Sequence, residues 1–350
     1  MTARVSENVA RTASARVAAK SRPAVSFLAW SSVDGRSRDV AAALGGEARC
    51  FYSLKIVSAP LVPVRYAVDT LRTAAYLAVR RPRSVIVTNP PVFPVVLAMA
   101  YGRLTRAPVA LDSHPAAFGL NGSRVGKLFR PFHARLARRA VSTLVANDDL
   151  RREVDSWGGH GAVFHEAPPV WEVAPPTPLS GRPRVILVGT LAPDEPFTAA
   201  VEAAGRLQEI DLLVAGDARK LPASLREAAP KNVSFVGFLH GDDYRRALES
   251  ADVIVVLTTN PTAAMRAAHE AVYACRPLVT SESPFRRTLF PYAVHVDNSA
   301  AGIAAGIQRA LDRHSELLEV APRAREQQLE RWESQAAPLR LALGLAQQGR

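Results

Sequence analysis

The chain has 350 residues, 48% of them hydrophobic, which is enough apolar content for two globular cores. Its two cysteines, Cys50 and Cys275, are far apart and predict neither a disulfide framework nor a metal site. The net charge of +12 lies in the first half, where residues 1–175 hold 24 Lys and Arg against 12 Asp and Glu. This asymmetry indicates an anionic partner. Because no nucleic-acid-binding motif is present, we expect a membrane surface or an anionic acceptor, and no nucleic acid.

The N-terminus and the longest apolar run determine the expected compartment. Residues 1–23 contain basic residues but lack the apolar core of a signal peptide, so they predict a disordered basic leader. The run at 85–102 is interrupted by three prolines, which argues against a membrane-spanning helix. We therefore expect a cytoplasmic protein.

From residue 24 onward, short apolar runs alternate with Ala-rich helical patterns, as is typical of a parallel sheet with crossover helices. The first half predicts strands at 24–30, 84–89, 107–113 and 142–147, and helices at about 36–45, 64–81, 92–104 and 124–139.

A proline-rich segment and a second alternating pattern predict two domains. Six prolines in residues 165–183 indicate a stiff linker, so the domains are expected at 24–170 and 183–321, with a C-terminal helix at about 322–350 that returns to the first domain. We predict two doubly wound, Rossmann-like α/β domains. The second has strands at 184–190, 211–216, 233–238, 252–258, 277–281 and 293–297, and helices at about 196–207, 220–229, 242–250, 263–274 and 300–314.

Two loops of the second half carry candidate binding residues, because ligands of such sheets bind beyond the carboxyl ends of the strands. In "GTLAPDEP" (189–196), the N–H groups near Gly189 and Thr190 could receive a phosphate. The alternative is an ordinary turn in which Asp194 caps a helix and Pro196 lies in its first turn.

The second loop follows the strand at 252–258 and leads into a helix. Arg266 and Glu270 lie four residues apart on that helix, and the Glu270 carboxylate could accept hydrogen bonds from the vicinal hydroxyls of a ribose. The alternative is an exposed ion pair worth a few tenths of a kcal/mol. The polar residues of this loop are Thr259, Asn260 and Thr262.

These residues belong to a longer series of motifs. In order over residues 184–308, the series reads "VILVGTL", "LLVAGD", "NVSFVGFL", "DYRRALESADVIVVLTTN", "HEAVYACRPLVTSESP" and "VHVDNSAAGIAAGI". It resembles the donor-binding domain of GT-B glycosyltransferases of family 4 (group 1). The resemblance implies that Glu270 binds the nucleotide ribose, that the amides around Ala263 and Arg266 face the donor sugar and diphosphate, and that the base is read by the backbone of Val236, Gly237 and Phe238.

The sequence departs from the family pattern at three places. Thr262 stands where a second Glu is usual, and Cys275 stands where Gly is usual. The Arg and Lys that commonly follow the first strand to neutralise the diphosphate are absent from the loop at 189–196. We therefore expect Arg266 to supply part of the compensating charge.

In the first half, "LDSHPAAFGLNG" (111–122) follows a strand, and His114 is the candidate catalytic residue. The resemblance implies a retaining reaction in which His114 hydrogen-bonds the donor sugar; the alternative is that His114 only orients its loop. Trp30, Arg36 and Asn89 are expected on the acceptor side of an interdomain site, although each also fits an ordinary strand-ending turn.

Residues 123–141 combine six Lys and Arg with apolar residues at helical spacing. A basic amphipathic helix of this kind fits an anionic membrane surface, and the alternative is a helix packed on the core with a solvated polar face.

The sequence thus predicts a metal-independent glycosyltransferase without a cofactor, which moves a sugar from a nucleotide-sugar to a saccharide or lipid-linked acceptor in envelope glycan synthesis. The main alternative is a non-catalytic GT-B-like scaffold. The sequence lacks the cluster of acid and base residues that an epimerase would need. It also lacks the G-x-G-x-x-G motif of a dinucleotide oxidoreductase after the first strand of either domain.

Overall fold

The computed structural model describes residues 22–32, 34–53, 61–120, 124–171, 174–175, 178–179 and 181–345. The predicted leader at 1–23 lies almost entirely outside these residues. The chain forms two compact units. The first extends to His165 and also includes the chain from Gln335 onward, and the second comprises Glu166–Ser334.

The first unit is built on a parallel six-stranded sheet. Its order is β2-β1-β3-β4-β5-β6, and the central strands are buried on both faces because helices cover them. The strands are β1 (Val25–Ala29), β2 (Glu47–Cys50), β3 (Ser84–Asn89), β4 (Val109–Ser113), β5 (Ser142–Val145) and β6 (Gly161–Val163). The helices are α1 (Gly35–Ala43), α2 (Val62–Arg80), α3 (Val92–Thr105), α4 (Arg124–Ala137) and α5 (Asp148–Ser156).

The second unit contains another parallel six-stranded sheet, in the order β12-β11-β10-β7-β8-β9. All strands are parallel, but successive strands are added on one side of β7 up to β9 and on its other side from β10 onward. A crevice forms at such a switch point in the strand order. Its strands are β7 (Arg184–Val188), β8 (Asp211–Ala215), β9 (Val233–Gly237), β10 (Val253–Val256), β11 (Leu278–Ser281) and β12 (Val294–Val296). Its helices are α6 (Phe197–Gly205), α7 (Ala223–Glu227), α8 (Gly241–Glu249), α9 (Arg266–Tyr273), α10 (Pro284–Leu289) and α11 (Ala300–Asp312), followed by the long α12 (His314–Ala342).

The predicted fold class is confirmed, but four elements were not predicted. Two are the short edge strands β2 and β6, whose residues are partly or fully exposed and so lack a continuous apolar run. The other two are the short helices α5 and α10, each of which begins with a capping side chain: Asn147 accepts from Leu150 N, and Ser283 accepts from Arg286 N.

Candidate functional site

The carboxylate of Glu270 is held on both oxygens within the second unit. Oε1 accepts hydrogen bonds from Nε and Nη2 of Arg266 at 2.8 and 2.7 Å, one turn earlier on α9. Oε2 accepts a hydrogen bond of 2.6 Å from the hydroxyl of Tyr244 on α8. The side chains of Glu270 and Arg266 are 5% and 27% exposed, so the i, i+4 ion pair is present but partly buried rather than exposed.

Burial dominates the electrostatics of this cluster. It raises the pKa of Glu270, although the charge of Arg266 and the hydrogen bonds from Tyr244 and Arg266 act in the opposite direction. Burial and the nearby Glu270 charge raise the pKa of Tyr244 well above 10, so its hydroxyl remains a donor at neutral pH. Sequence reasoning missed Tyr244. The feature of the sequence that could have pointed to it is its position shortly after the "VGF" turn.

The loop after β7 is occupied by its own carboxylate. Glu195 is buried, and its Oε1 accepts hydrogen bonds from N and Oγ1 of Thr190, both at 3.3 Å. Its Oε2 accepts from Ala192 N at 3.1 Å. A Cβ on Gly189 would lie 2.8 Å from Oε2 of Glu195 and 2.5 Å from Phe197, so only glycine fits there. The amide of Thr190, expected to receive a phosphate, is therefore engaged within the protein.

Asp194 ties this loop to the one after β10 and does not cap α6, so that predicted alternative is wrong. Its Oδ2 accepts from Thr258 Oγ1 at 3.1 Å, and its carbonyl accepts from Thr259 N at 2.7 Å. The helix begins at Phe197 with no side-chain cap, and Pro196 precedes it. The predicted residues of both loops thus meet at the carboxyl ends of the neighbouring strands β7 and β10.

Arg286, a buried residue that sequence reasoning missed, holds the loop before α9. Its Nη1 donates to the carbonyls of Asn260 and Ala263 at 2.7 and 3.1 Å. Asn260 Oδ1 in turn accepts from the amide and hydroxyl of Thr262 at 3.1 and 3.2 Å. Thr262 therefore stabilises the turn in which the family usually has a carboxylate.

Lys220 brings a cation to the loop after β7. It ends a short 3-10 helix that follows β8, and its Nζ donates to the carbonyl of Thr190 at 2.7 Å. Sequence reasoning missed Lys220 because this residue follows β8, whereas the family pattern places the cations directly after β7. The feature of the sequence that could have pointed to Lys220 is its position just beyond the carboxyl end of β8, the neighbour of β7.

The expected base-reading turn is solvent-accessible. Gly237 has φ of +75°, a left-handed conformation that suits glycine. The Phe238 side chain is 55% exposed and packs on the ring of His240 at 4.7 Å between centroids. Val236 is also exposed.

In the first unit, a buried carboxylate contacts two of the predicted residues, Arg36 and His114, and a backbone hydrogen bond adds a third. Asp112 at the end of β4 accepts from Nε of Arg36 at 3.2 and 3.1 Å and from its Nη2 at 2.9 Å. His114 Nε2 lies 3.5 Å from Oδ2 of the same carboxylate. The amide of His114 donates to the carbonyl of Asn89, whose Nδ2 is buried and has no hydrogen-bond partner among the described residues.

The pair formed by Asp112 and Arg36 controls the charge of this cluster. Burial alone would raise the pKa of Asp112, but the Arg36 charge and the contact with His114 lower it well below its usual range. Burial lowers the pKa of His114, whereas the hydrogen bond and charge of Asp112 raise it, and the net shift is upward. The His114 side chain remains 45% exposed and accessible to a substrate.

Trp30 lies in an aromatic cluster of the first unit. Its ring is stacked with Phe93 at 6.3 Å and meets Tyr66 edge-on at 5.4 Å. Its Nε1 donates to Thr73 Oγ1 at 3.0 Å. The structure therefore links Arg36, His114 and Asn89, and gives Trp30 a packing role.

Helix α4 presents apolar side chains to solvent. Leu128 is 75% exposed, and Phe129 and Phe132 are also exposed. They line an open groove of about 780 Å³ together with Pro131, Ala134, Arg135 and Arg138. Among the described helices, none is long and apolar enough to cross a membrane. The described residues include no group of three or more His, Cys, Asp or Glu side chains that could hold a metal ion.

Comparison with known proteins identifies the fold and the second unit. A family model described as "Glycosyl transferases group 1" matches residues 182–313. HepE of Anabaena, solved with UDP and glucose, superposes with a TM-score of 0.63 at 14% identity, over 91% of this chain and 99% of that one. The chain has the GT-B fold, and residues 182–313 match the group 1 glycosyltransferase model.

Other solved structures share this GT-B fold. Sucrose-phosphate synthase of Thermosynechococcus elongatus has a TM-score of 0.63 at 14% identity, over 90% of this chain and 96% of that one. TarM of S. aureus, solved with UDP and α-GlcNAc-glycerol among its ligands, has a TM-score of 0.58 at 14% identity, over 79% and 59%. A search of curated proteins gives no match. Glu270, Arg266 and the loop at 189–196 all lie within the residues that match the group 1 model.

Proposed function

We propose that this protein transfers a sugar from a nucleotide-sugar donor to a hydroxyl of a saccharide or lipid-linked acceptor. The observation that carries the proposal is the buried carboxylate of Glu270, held by Tyr244 and Arg266 inside the group 1 domain. An ionised carboxylate offers about four acceptor sites, and the protein donors use three of them. When a ribose binds, one of its hydroxyls takes the remaining site and the second replaces a protein donor.

The donor diphosphate requires cationic or N–H partners. Lys220 contributes a flexible ammonium group at the loop after β7, and Arg266 contributes a guanidinium at the start of α9. Together they serve the part that the family assigns to an Arg and a Lys after the first strand. This arrangement supports a transfer that needs neither a metal ion nor a cofactor.

On the acceptor side, Asp112 fixes the guanidinium of Arg36 and adjoins the His114 ring. In a retaining reaction, His114 would hydrogen-bond the donor sugar, and the donor phosphate would take the acceptor proton. The buried Nδ2 of Asn89 is a further donor available to a sugar hydroxyl.

The surface of α4 supports a lipid-linked acceptor at a membrane. Exposed Leu128 and Phe132 lie beside Arg135 and Arg138, which is the combination that binds an anionic bilayer. We propose that α4 brings the enzyme to the inner face of the cell membrane, where lipid-linked envelope glycans are extended. Co-sedimentation with vesicles of anionic phospholipid tests this. Leu128→Gln should reduce binding to these vesicles several-fold. If the variant loses affinity only for neutral vesicles and keeps it for anionic ones, the proposal is contradicted.

A second candidate is a nucleotide-binding scaffold that performs no transfer. The observation in its favour is the carboxylate of Glu195, which lies in the loop where a diphosphate should be neutralised. Incubation with radiolabelled UDP-glucose or GDP-mannose together with a saccharide or lipid-linked acceptor distinguishes the two candidates, because only a transferase moves the labelled sugar to the acceptor and releases the free nucleoside diphosphate.

The decisive experiment measures thermal unfolding with UDP, GDP, ADP, TDP and NAD at about 1 mM. A ligand at 100 times its Kd stabilises the native state by about 2.7 kcal/mol. We expect one nucleoside diphosphate to raise the midpoint, Glu270→Ala to abolish the rise, and the exposed Glu202→Ala to retain it. If no nucleotide shifts the midpoint, the proposed function is wrong.

A further inference from the structure

Glu195 is a buried carboxylate that forms no ion pair among the described residues. Its three hydrogen bonds all come from its own loop, from N and Oγ1 of Thr190 and from Ala192 N. Buried carboxylates are ordinarily paired with a cation, because an uncompensated charge is costly to desolvate. Here burial outweighs the hydrogen bonds and raises the pKa of Glu195, and the charge of Asp194 acts in the same direction.

The only cation described at this loop contacts a different atom. Lys220 donates to the carbonyl of Thr190, and so it is fixed to the loop without neutralising Glu195. Gly189 lies in direct contact with the carboxylate, because a Cβ there would lie 2.8 Å from Oε2. The loop is thus shaped around an anion that the chain itself provides.

The N–H groups that Glu195 occupies are the kind that receives a phosphate after the first strand of a doubly wound domain. We propose that Glu195 is an internal anion that competes with the donor diphosphate for the amides of Thr190 and Ala192, and so sets the affinity for the donor. This inference rests on the proposed function. On binding, the diphosphate displaces the carboxylate, and Lys220 exchanges the Thr190 carbonyl for a phosphate oxygen.

A purely structural role for Glu195 has the opposite consequence. If the carboxylate only fixed the loop in its binding conformation, its removal would loosen the loop and weaken donor binding. If it competes, its removal strengthens binding. The sign of the change in affinity therefore separates the two roles.

Isothermal titration calorimetry with UDP, GDP and inorganic pyrophosphate tests the proposal on the full-length chain. Glu195→Gln keeps the size of the side chain and removes its charge, and Glu195→Ala removes the carboxylate altogether, which guards against misfolding of either one. We expect both variants to bind a diphosphate at least about tenfold more tightly than the wild type. Glu202→Gln, an exposed change of equal charge on α6, should stay within about twofold.

The outcomes separate this inference from the function on which it rests. If the wild type binds a nucleoside diphosphate and the Glu195 variants bind it no more tightly, the inference is wrong and the function stands. If the variants gain affinity for pyrophosphate while no form binds a nucleotide, the inference stands and the nucleotide-sugar function is wrong. If no form binds any of the three ligands, both are wrong.

Discussion

The hydroxyl of Tyr244 lies 2.6 Å from Oε2 of Glu270 and is its only described donor, whereas Arg266 contributes two N–H groups to Oε1. The two oxygens are therefore unequally held. Exchange of one hydrogen bond frees Oε2, but two must break to free Oε1. We expect a ribose hydroxyl to replace Tyr244 and the pair with Arg266 to persist, because a charged hydrogen-bonded pair is the stronger contact.

Tyr244→Phe should destabilise the free protein by about 2 kcal/mol, because it leaves a buried carboxylate oxygen without its donor. For a unit of this size, that corresponds to a midpoint of thermal unfolding lower by roughly 4–8 °C. Tyr292→Phe is the matched control, since the Tyr292 hydroxyl also donates to a side chain, Gln327, but away from the carboxylate. Its loss should be about 1 kcal/mol. If the two variants lose equal free energies of unfolding, then the hydrogen bond from Tyr244 to Glu270 stabilises the protein no more than an ordinary side-chain hydrogen bond.

Lys220→Gln should weaken binding of the preferred nucleoside diphosphate by about tenfold, because a charge-assisted hydrogen bond to phosphate is lost. Titration calorimetry at two salt concentrations measures the affinity and its salt dependence. Lys231→Gln, an exposed change of equal charge in the same unit, should stay within about twofold. If both variants bind alike, Lys220 does not contact the diphosphate.

The sequence predicted every buried strand but did not show how the site is held together. β3 and β4 each contain a continuous apolar run, at 85–87 and 109–111, and both were predicted because burial on two faces leaves that pattern. β2 has only four residues, two of them exposed, so no periodicity distinguishes it from a loop.

The sequence singled out the candidate residues of the second unit, but it did not predict most of their side-chain partners. Glu270 stood out because a carboxylate in an apolar helix needs an explanation. Tyr244, Lys220 and Arg286 act through contacts with residues 23–30 positions away, and no local pattern announces such contacts. The role of Asp112 was not predicted for the same reason, because Asp112 and Arg36 are distant in the sequence and come together only in the fold.

Arg36→Ala should lower the free energy of unfolding of the first unit by about 3–5 kcal/mol, because it leaves the Asp112 carboxylate buried without its cation. Thermal unfolding measures this, and Arg36→Ala/Asp112→Ala should recover part of the loss. Arg38→Ala on the same helix is the control, since Arg38 is 56% exposed and its pair with Asp39 is worth at most about 1 kcal/mol. A double variant as unstable as Arg36→Ala would contradict the argument.

His133 makes the first unit sensitive to mild acid. The ring is buried against Phe118 and Trp157, and burial lowers the pKa of His133 to about 4 from its ordinary 6.5. Between these values the unfolded chain binds the proton and the folded one does not, so stability falls as the pH decreases from about 6.5 toward 4.

At 1.36 kcal/mol for each unit of pKa, the wild type should lose about 2 kcal/mol more than His133→Gln when the pH falls from 7 to 5. Urea unfolding of both proteins at the two pH values measures the difference. His160→Gln changes an exposed histidine and should follow the wild type. If His133→Gln shows the full pH dependence of the wild type, then the folded protein accommodates a charged His133, and the acid sensitivity has another source.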